Sequence, residues 1–241
     1  MAKSTLNTHI ASRPGWTTAD AYLFDIDGTL LNTRDSVHYH AFHHAVRAVF
    51  GVRSHIDGVP VHGNTDIGIL RAVLRREGVS GQDFERLLPR ALEYMCAEVQ
   101  QKSAEIKTEL CPSVADLLHK LHAGGKLLGI VSGNLERIGW LKLDAAAIRR
   151  FFAFGCFSDQ NGLRNELREE IFRQGLIQAR QRLSRDASVC VVGDTPADIN
   201  AARMLGIPVI AVATGIYDVN ALRAAGPDAC VSCCTDLLDV F

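Results

Sequence analysis

An apolar segment that ends in two carboxylates constrains the fold of this chain most strongly. The segment reads YLFDIDGTLLNT, residues 22–33, and it places Asp25 and Asp27 directly after a short aromatic and aliphatic stretch. A stretch of this kind that ends at a glycine turn is typical of a buried strand. Two like charges at the tip of such a strand repel each other unless a cation lies between them. The strand therefore predicts a charged site at its end.

After Pro112 the sequence alternates between apolar strand-like segments and amphipathic helices. The strand-like segments are KLLGIVSGN, FFAFGCF, SVCVVGDT, IPVIAVATG and DACVS. Continuous apolar strands that alternate with helices predict a parallel sheet covered by helices on both faces. The predicted fold class is therefore α/β, with a Rossmann-like parallel sheet as its core.

Between the first strand and this alternating region the patterns are helical throughout. We expect an all-helical cap domain over residues 33–107, inserted into a core made of residues 1–32 and 108–241. Residues 1–19 are polar and are interrupted by a Pro–Gly pair, and they are expected to form a loosely held arm.

Charge and composition narrow the range of partners. The chain of 241 residues has a formal net charge of −1, so it has no global basic field for nucleic acid or an anionic membrane. No apolar run approaches the roughly 18 residues that span a bilayer, and the N-terminus lacks the apolar centre of a secretory signal. The seven cysteines include CVSCC at 230–234, which has no second pair or histidine to complete a zinc site. We expect a cytoplasmic protein, monomeric or homodimeric, without nucleic-acid or membrane partners.

Polar groups follow three of the predicted strands. Asp25 and Asp27 follow the first strand, Ser132 ends the segment VSGN, and Asp194 and Asp198 lie in GDTPAD. Ligands of an open parallel sheet bind at the carboxyl ends of its strands, so these side chains are expected to meet at one edge. Clustered carboxylates need a cation, and hard oxygen ligands favour Mg²⁺.

The spacing of the first two acids suits phosphoryl transfer. Asp25 at the strand tip can attack phosphorus, and Asp27 can approach the same place from the turn as a general acid and base. Gly28 permits a sharp turn whose amides can face phosphate oxygens, and Ser132 offers a hydroxyl to the same group. Such chemistry rests largely on positioning and on neutralisation of charge.

At this point a family resemblance becomes visible. The motifs DIDGTLLNT, VSGN and GDTPAD, in this order, resemble those of the haloacid dehalogenase superfamily, in particular a phosphoglycolate-phosphatase-like branch with a helical cap. The resemblance covers about residues 20–235, and HGNTDIGIL at 62–70 is similar to the cap loop of the family. It implies a Mg²⁺-dependent phosphatase that hydrolyses a small phosphomonoester, possible substrates including phosphoglycolate, through an aspartyl-phosphate intermediate.

The resemblance also implies roles for single residues. Asp25 would be the nucleophile, and Asp27 the acid and base, with its main-chain carbonyl on the metal. Asp194 would ligate the metal, and Asp198 would be a ligand or an organiser of metal-bound water. The implied phosphate and substrate contacts are Ser132 and Gly133 in the core and Gly63, Asn64 and Thr65 on the cap loop. The cap residues could instead form only a turn and a helix cap, and Thr29 is expected to be structural.

One departure from the family pattern concerns a cation. Members usually carry a lysine before the helix that precedes the last motif, and SDQNGLRNELREEIF has none. Arg164 is the first candidate to replace it, because it follows a glycine turn and its guanidinium fits phosphate. Arg168 and Lys142 are its rivals.

Other functions and contacts stay open on sequence grounds. A phosphomutase of β-phosphoglucomutase type would use the same acids, and a non-catalytic phospho-ligand-binding protein could keep the fold without turnover. In HYHAFHHAV, His40 and His44 lie one helical turn apart and could chelate zinc, or His40 or His43 could touch substrate from the cap.

Overall fold

The structure is a computed structural model that describes residues 15–160 and 166–241. The strands in this part of the chain are β1 Ala21–Phe24, β2 Leu31–Thr33, β3 Thr108–Leu110, β4 Leu127–Val131, β5 Phe154–Cys156, β6 Val189–Gly193, β7 Val209–Val212 and β8 Ala229–Val231. The α-helices are α1 Val37–Phe50, α2 Asp66–Arg76, α3 Gly81–Gln101, α4 Val114–Ala123, α5 Glu136–Ala145, α6 Arg168–Arg182, α7 Pro196–Met204 and α8 Val219–Ala224. None of these helices is long and apolar enough to cross a membrane.

Six of the strands form one parallel sheet in the order β5-β4-β1-β6-β7-β8. All four residues of β1 are buried, because this strand is central and has helices on both sides. Phe24, its last residue, is in register with Ile130 of β4 and Val192 of β6. The residues that follow these three strands therefore emerge side by side at one edge of the sheet.

Separate apolar clusters cover the two faces of the sheet. On one face α4 contributes Val114, Leu117, Leu118 and Leu121. On the other face α6 and α7 contribute Ile171, Phe172 and Ile199. This arrangement confirms the predicted α/β class with a helix-covered parallel sheet.

Along the chain, helices α1, α2 and α3 come between β2 and β3, which pair directly as a small antiparallel ribbon. The ribbon pairs Leu31 of β2 with Leu110 of β3 and Thr33 with Thr108. The three helices share an apolar cluster of their own, which also includes Leu135 and Ile138 near the start of α5. We call residues 34–107 the helical insertion. The insertion has its own apolar cluster, and it also packs against α5 of the sheet domain.

The expectation of a loosely held arm is wrong for residues 15–19. Trp16 is only 3% exposed, and its ring packs edge-on against Phe241 at 6.1 Å. The Tyr22 hydroxyl donates a hydrogen bond to the Trp16 carbonyl oxygen at 2.8 Å. Burial of the indole, together with this hydrogen bond, holds the segment against the sheet domain. Residues 1–14, the rest of the predicted arm, lie outside the described residues.

Replacing Trp16 with alanine tests whether this segment is part of the core. We expect Trp16→Ala to lower the free energy of unfolding by about 3 kcal/mol, as typical of truncating a buried large aromatic side chain. Urea denaturation followed by circular dichroism measures it. Met204→Ala, at a side chain that is 71% exposed, is the control and should change stability by less than about 0.5 kcal/mol. Equal effects of the two substitutions would show that the segment is held loosely.

Candidate active site

Three carboxylates converge at the edge where β1 and β6 end. Asp25 follows β1, Asp194 follows β6, and Asp198 lies in the first turn of α7. One oxygen of each lies within 4.8 Å of the others, and all three residues are buried. The sheet register explains this proximity, because the Asp25 amide donates to the Val192 carbonyl oxygen at 3.0 Å and so continues the pairing of β1 with β6.

Asp198 is held in place by the start of its own helix. Thr195 caps α7, and its amide and hydroxyl both bond Asp198 Oδ2, at 3.0 and 2.7 Å. Together with the bond from the Asp198 amide to the Thr195 hydroxyl oxygen this forms a capping box. Pro196 occupies the first turn, where its missing N–H costs nothing. The sequence GDTPAD therefore fixes the position of one site carboxylate locally.

Arg168, the first residue of α6, bridges two of the three acids. Its Nε lies 2.7 Å from Asp198 Oδ1, and a terminal nitrogen lies 2.5 Å from Asp25 Oδ2. The side chain is only 7% exposed. One of the two rivals for the missing lysine thus contacts the predicted nucleophile directly. Arg164, the first candidate, lies outside the described residues, and its role stays a prediction.

Asp194 is surrounded by groups that leave no alternative position for its carboxylate. The Thr29 hydroxyl donates to Asp194 Oδ1 at 3.1 Å. A Cβ at Gly28 would lie 2.2 Å from Asp194 Oδ2, and one at Gly215 would lie 1.8 Å from it. Gly28 also has φ +83°, a conformation that favours glycine. Thr29 has the structural role expected of it, and the role consists of orienting Asp194.

Asp27 faces a different set of partners. Lys142 Nζ lies 2.9 Å from Asp27 Oδ1 and 2.8 Å from Oδ2. The Asn134 side-chain amide donates to Oδ2 at 2.8 Å, and the Thr33 hydroxyl donates to Oδ1 at 3.2 Å. Enclosure in the site favours the neutral acid, but Lys142 and Asn134 outweigh it and hold the pKa of Asp27 below its ordinary value. Its carboxylate is therefore ionised in the free protein, outside the cluster of three acids.

Ser132 and Gly133 follow β4 on the other side of β1. Ser132 is 1% exposed, and its hydroxyl oxygen accepts a bond from the Asn134 side chain at 2.9 Å. The Gly133 carbonyl oxygen accepts from the Asp66 amide at 2.8 Å, and a Cβ at Gly133 would lie 2.3 Å from the Asn64 carbonyl oxygen. Gly133 is thus the point where the helical insertion meets the sheet edge.

The three predicted cap-loop residues have different surroundings. Gly63 and Asn64 line the cavity described below. Thr65 is buried and does not line it. Its hydroxyl oxygen accepts from the Gly68 amide at 3.0 Å, which caps α2, and the hydroxyl donates to the Glu166 carbonyl oxygen at 3.1 Å. For Thr65 the structure thus shows the alternative role, a helix cap.

A cavity of about 330 Å³ lies between the sheet edge and the helical insertion. Asp25, Asp27, Ser132 and Arg168 contribute to its core side. The insertion contributes polar and apolar side chains to the opposite wall, which are His38, Tyr39, His62, Asn64, Phe42, Ile56, Val61 and Ile69. A ligand in this cavity would therefore contact the acids and the insertion together.

The histidines singled out from the sequence do not form this wall. His43 accepts a hydrogen bond from the Ile56 amide at 3.2 Å, and His44 bonds Glu98 at 2.6 Å. Within the described residues, the cluster of three acids is the only group of three or more potential metal ligands, so no such group includes His40 and His44. His38 lines the cavity instead. It lies one helical turn before Phe42 on the same face of α1. This spacing is visible in the sequence and is the signal by which His38 could have been identified.

The charges at the sheet edge do not balance. Arg168 contacts Asp25 and Asp198, Lys142 contacts Asp27, and Asp194 contacts neither, so four carboxylates with two cations leave two negative charges. Burial, reinforced by the neighbouring carboxylates, raises the pKa of both Asp25 and Asp194 above the ordinary value of 3.8. A divalent cation would offset this excess, and the buried oxygen donors are of the kind that Mg²⁺ prefers. The residues present thus fit a divalent metal.

Comparisons with known proteins agree with the fold. The family model described as haloacid dehalogenase-like hydrolase matches residues 22–212. The chain is 29% identical to the phosphoglycolate phosphatase of Synechococcus elongatus over 221 residues, 90% of this chain and 95% of that protein. It is 27% identical to the phosphoglycolate phosphatase of Mesorhizobium japonicum over 218 residues, 87% of this chain and 89% of that one.

A solved structure extends the comparison to the whole fold. CbbY from Rhodobacter sphaeroides, determined in complex with phosphate, superposes with a TM-score of 0.66 at 19% identity, over 91% of this chain and 96% of that one. Because the family model covers residues 22–212, most of the chain, the protein belongs to the haloacid dehalogenase-like hydrolase family. It is an enzyme of that class, and its similarity to phosphoglycolate phosphatases confirms the branch predicted from the sequence.

Neutralising Asp194 should stabilise the metal-free protein. Because the folded state raises the pKa of this acid, the folded chain keeps a proton that the unfolded chain releases above pH 4. The free energy of unfolding therefore falls as the pH rises from about 4 to 8. We expect Asp194→Asn to be more stable than the parent by at least about 1 kcal/mol at pH 8 in EDTA, with a smaller difference at pH 5. Urea denaturation at both pH values measures this.

Two comparisons make that measurement specific. Asp186→Asn, at an exposed position, should leave the stability unchanged at both pH values. Added MgCl₂ should stabilise the parent protein more than Asp194→Asn, because a ligand stabilises the state that binds it. A variant that is less stable than the parent at pH 8 would show that repulsion among the acids is not the dominant force at this edge.

Proposed function

We propose that the protein hydrolyses a small phosphomonoester through an aspartyl-phosphate intermediate and depends on Mg²⁺. The observation that carries the proposal is the position of the Asp25 carboxylate. It lies beside Asp194 and Asp198, in contact with Arg168, at the core side of the cavity between the sheet edge and the helical insertion. The family and its phosphoglycolate phosphatase relatives support the same reaction class.

In the first step an oxygen of Asp25 attacks phosphorus and the ester P–O bond breaks. The leaving oxygen takes a proton from Asp27, so the alcohol departs neutral. Asp27 is ionised in the free protein, and it takes up this proton from the monoprotonated phosphate ester as the ester binds. Ser132, which lines the same wall of the cavity, donates its hydroxyl to the phosphoryl group, and the Arg168 guanidinium orients Asp25.

In the second step Asp27 takes a proton from a water molecule, and the water oxygen attacks phosphorus. The bond between phosphorus and Asp25 breaks, which releases inorganic phosphate and restores the carboxylate. Asp27 thus alternates between acid and base, and this requires a carboxylate beside the reacting group but outside the cluster of acids. The insertion wall excludes bulk water from the intermediate.

Asp25, Asp194 and the main-chain carbonyl of Asp27 would hold the metal. When bound, Mg²⁺ supplies electrostatic stabilisation of the charge on the transferring phosphoryl group. The oxygens of Asp198 already accept bonds from Arg168 and Thr195. Of the two roles implied for Asp198, we therefore propose the one in which it organises the metal site rather than ligates the ion.

The cavity supports a small substrate. Its volume of about 330 Å³ holds a phosphoryl group and a short leaving group. Phosphoglycolate is the first compound to assay, because two relatives of similar length carry that name. We propose that Gly63 and Asn64, together with His38 and His62, contact the leaving group. The cytoplasmic location and the monomeric or homodimeric state stay predictions.

Asp25→Asn tests the covalent route. We expect it to lower the hydrolysis of p-nitrophenyl phosphate by at least about 10³-fold, because the amide cannot act as the nucleophile. The release of p-nitrophenol with and without Mg²⁺ measures the rate, and circular dichroism checks the fold. Asp144→Asn, at a half-exposed acid paired with Arg149, is the control and should keep full activity.

Product analysis separates hydrolysis from its rival reactions. A phosphatase releases one inorganic phosphate for each alcohol formed, whereas a phosphomutase given a sugar phosphate forms an isomeric sugar phosphate and little free phosphate. Activity close to that of the parent in Asp25→Asn would refute the aspartyl-phosphate route. A parent protein that is inactive on every ester tested with Mg²⁺ would favour the non-catalytic binding protein.

A further inference from the structure

Lys142 is a buried cation that the proposed reaction does not use directly. It lies in α5 and is 5% exposed. Its Nζ contacts three acceptors, the two oxygens of Asp27 at 2.9 and 2.8 Å and Asn134 Oδ1 at 2.8 Å. An ammonium group has three protons, so these contacts occupy all of them. In this arrangement Lys142 has no proton left for a phosphate.

Asn134 completes the arrangement. Its side-chain oxygen faces Lys142, and its NH₂ group donates to Asp27 Oδ2 at 2.8 Å and to the Ser132 hydroxyl oxygen at 2.9 Å. The ammonium accepts no hydrogen bond and the carboxylate donates none, so the amide has one orientation that satisfies both. Asn134 therefore links the acid and base residue to the phosphate-binding serine.

The Asp27 carboxylate needs such support because, apart from Lys142 and Asn134, its described side-chain hydrogen bond is a long one from the Thr33 hydroxyl, at 3.2 Å. The Asp27 side chain is 42% exposed, whereas that of Lys142 is 6% exposed. A carboxylate on a turn can rotate into solvent, and repulsion from Asp25 would favour that rotation. A buried ammonium with an anchored amide beside it holds the carboxylate at the cavity wall, since leaving Lys142 unpaired would be costly.

We propose that Lys142 and Asn134 are positioning residues that hold the Asp27 carboxylate at the leaving-group side of the cavity. This inference rests on the proposed function, in which Asp27 protonates the leaving oxygen. A lysine that positions the acid affects esters that need protonation and spares those that do not. A lysine that binds phosphate, the role considered from the sequence, affects all phosphate esters alike.

The experiment compares two aryl phosphates that differ in their leaving groups. Phenyl phosphate leaves as a strongly basic phenolate and needs a proton, whereas 2,4-dinitrophenyl phosphate leaves without one. The parameter is kcat/KM, which covers the steps up to the first phosphoryl transfer. We expect Lys142→Met to lower kcat/KM for phenyl phosphate at least about 10-fold more than for 2,4-dinitrophenyl phosphate. Inhibition by inorganic phosphate should change less than about threefold.

Three further variants interpret the result. Asn134→Ala should show the same selective loss, and it provides the test if Lys142→Met does not fold. Lys142→Arg retains a charged donor and should recover part of the activity on phenyl phosphate. Lys126→Met, at a lysine whose Nζ lies 3.4 Å from the Thr18 carbonyl oxygen and outside the cavity lining, is the control and should match the parent on both esters.

Each outcome bears on a different claim. Equal losses of kcat/KM on the two esters in Lys142→Met and Asn134→Ala, or a large rise in the phosphate inhibition constant, would overturn the positioning role. Asp27→Asn is the reference variant. Because it removes the acid itself, it should show the largest selective loss of kcat/KM for phenyl phosphate. If Asp27→Asn shows no selectivity, then the acid role of Asp27 is wrong and the positioning role falls with it. A parent protein inactive on both esters would refute the proposed function itself.

Discussion

The balance between four carboxylates and two buried cations at one edge of the sheet governs the rest of this structure. Arg168 compensates Asp25 and Asp198, and Lys142 compensates Asp27. Asp194 has a hydroxyl donor but no cation of its own among the described contacts. The site therefore has excess negative charge, which raises the pKa of its buried acids. We interpret this unfavourable arrangement as the cost of a site that is completed by a divalent cation and a phosphoryl group.

The helical insertion is joined to this edge by backbone contacts rather than by a flexible linker alone. Asp66 bonds the residues on both sides of Asn134, since its amide donates to the Gly133 carbonyl oxygen and its carboxylate accepts from the Leu135 amide at 2.8 Å. The absence of a side chain at Gly133 permits the close approach of the insertion loop. The loop that lines the cavity is thus anchored beside the residue that contacts Ser132 and Asp27. The substrate contacts and the proton transfer that we propose would therefore share one structural support.

Much of this arrangement was predictable from the sequence, for definite reasons. A buried strand ending in Asp25 has a fixed position in a parallel sheet, and the capping box around Asp198 is local. Lys142 could be named only as one of three candidate cations, because nine residues of turn and helix separate it from Ser132. Its contact with Asp27 depends on how α5 packs, and periodicity does not specify that. The burial of Trp16 was not predicted, because its neighbours in the sequence are polar and no apolar pattern surrounds it.

The sequence by itself determined the class of fold, the strand ends that carry acids and the family, because these follow from local patterns of apolar, acidic and glycine residues. The tertiary structure alone decided which cation serves which acid, and which histidine faces the cavity. Those pairings join residues more than 100 positions apart, as in Asp27 with Lys142 and Asp25 with Arg168. The physical reason is that a charge interaction depends on distance in space and on burial, and both are set only when the helices pack on the sheet.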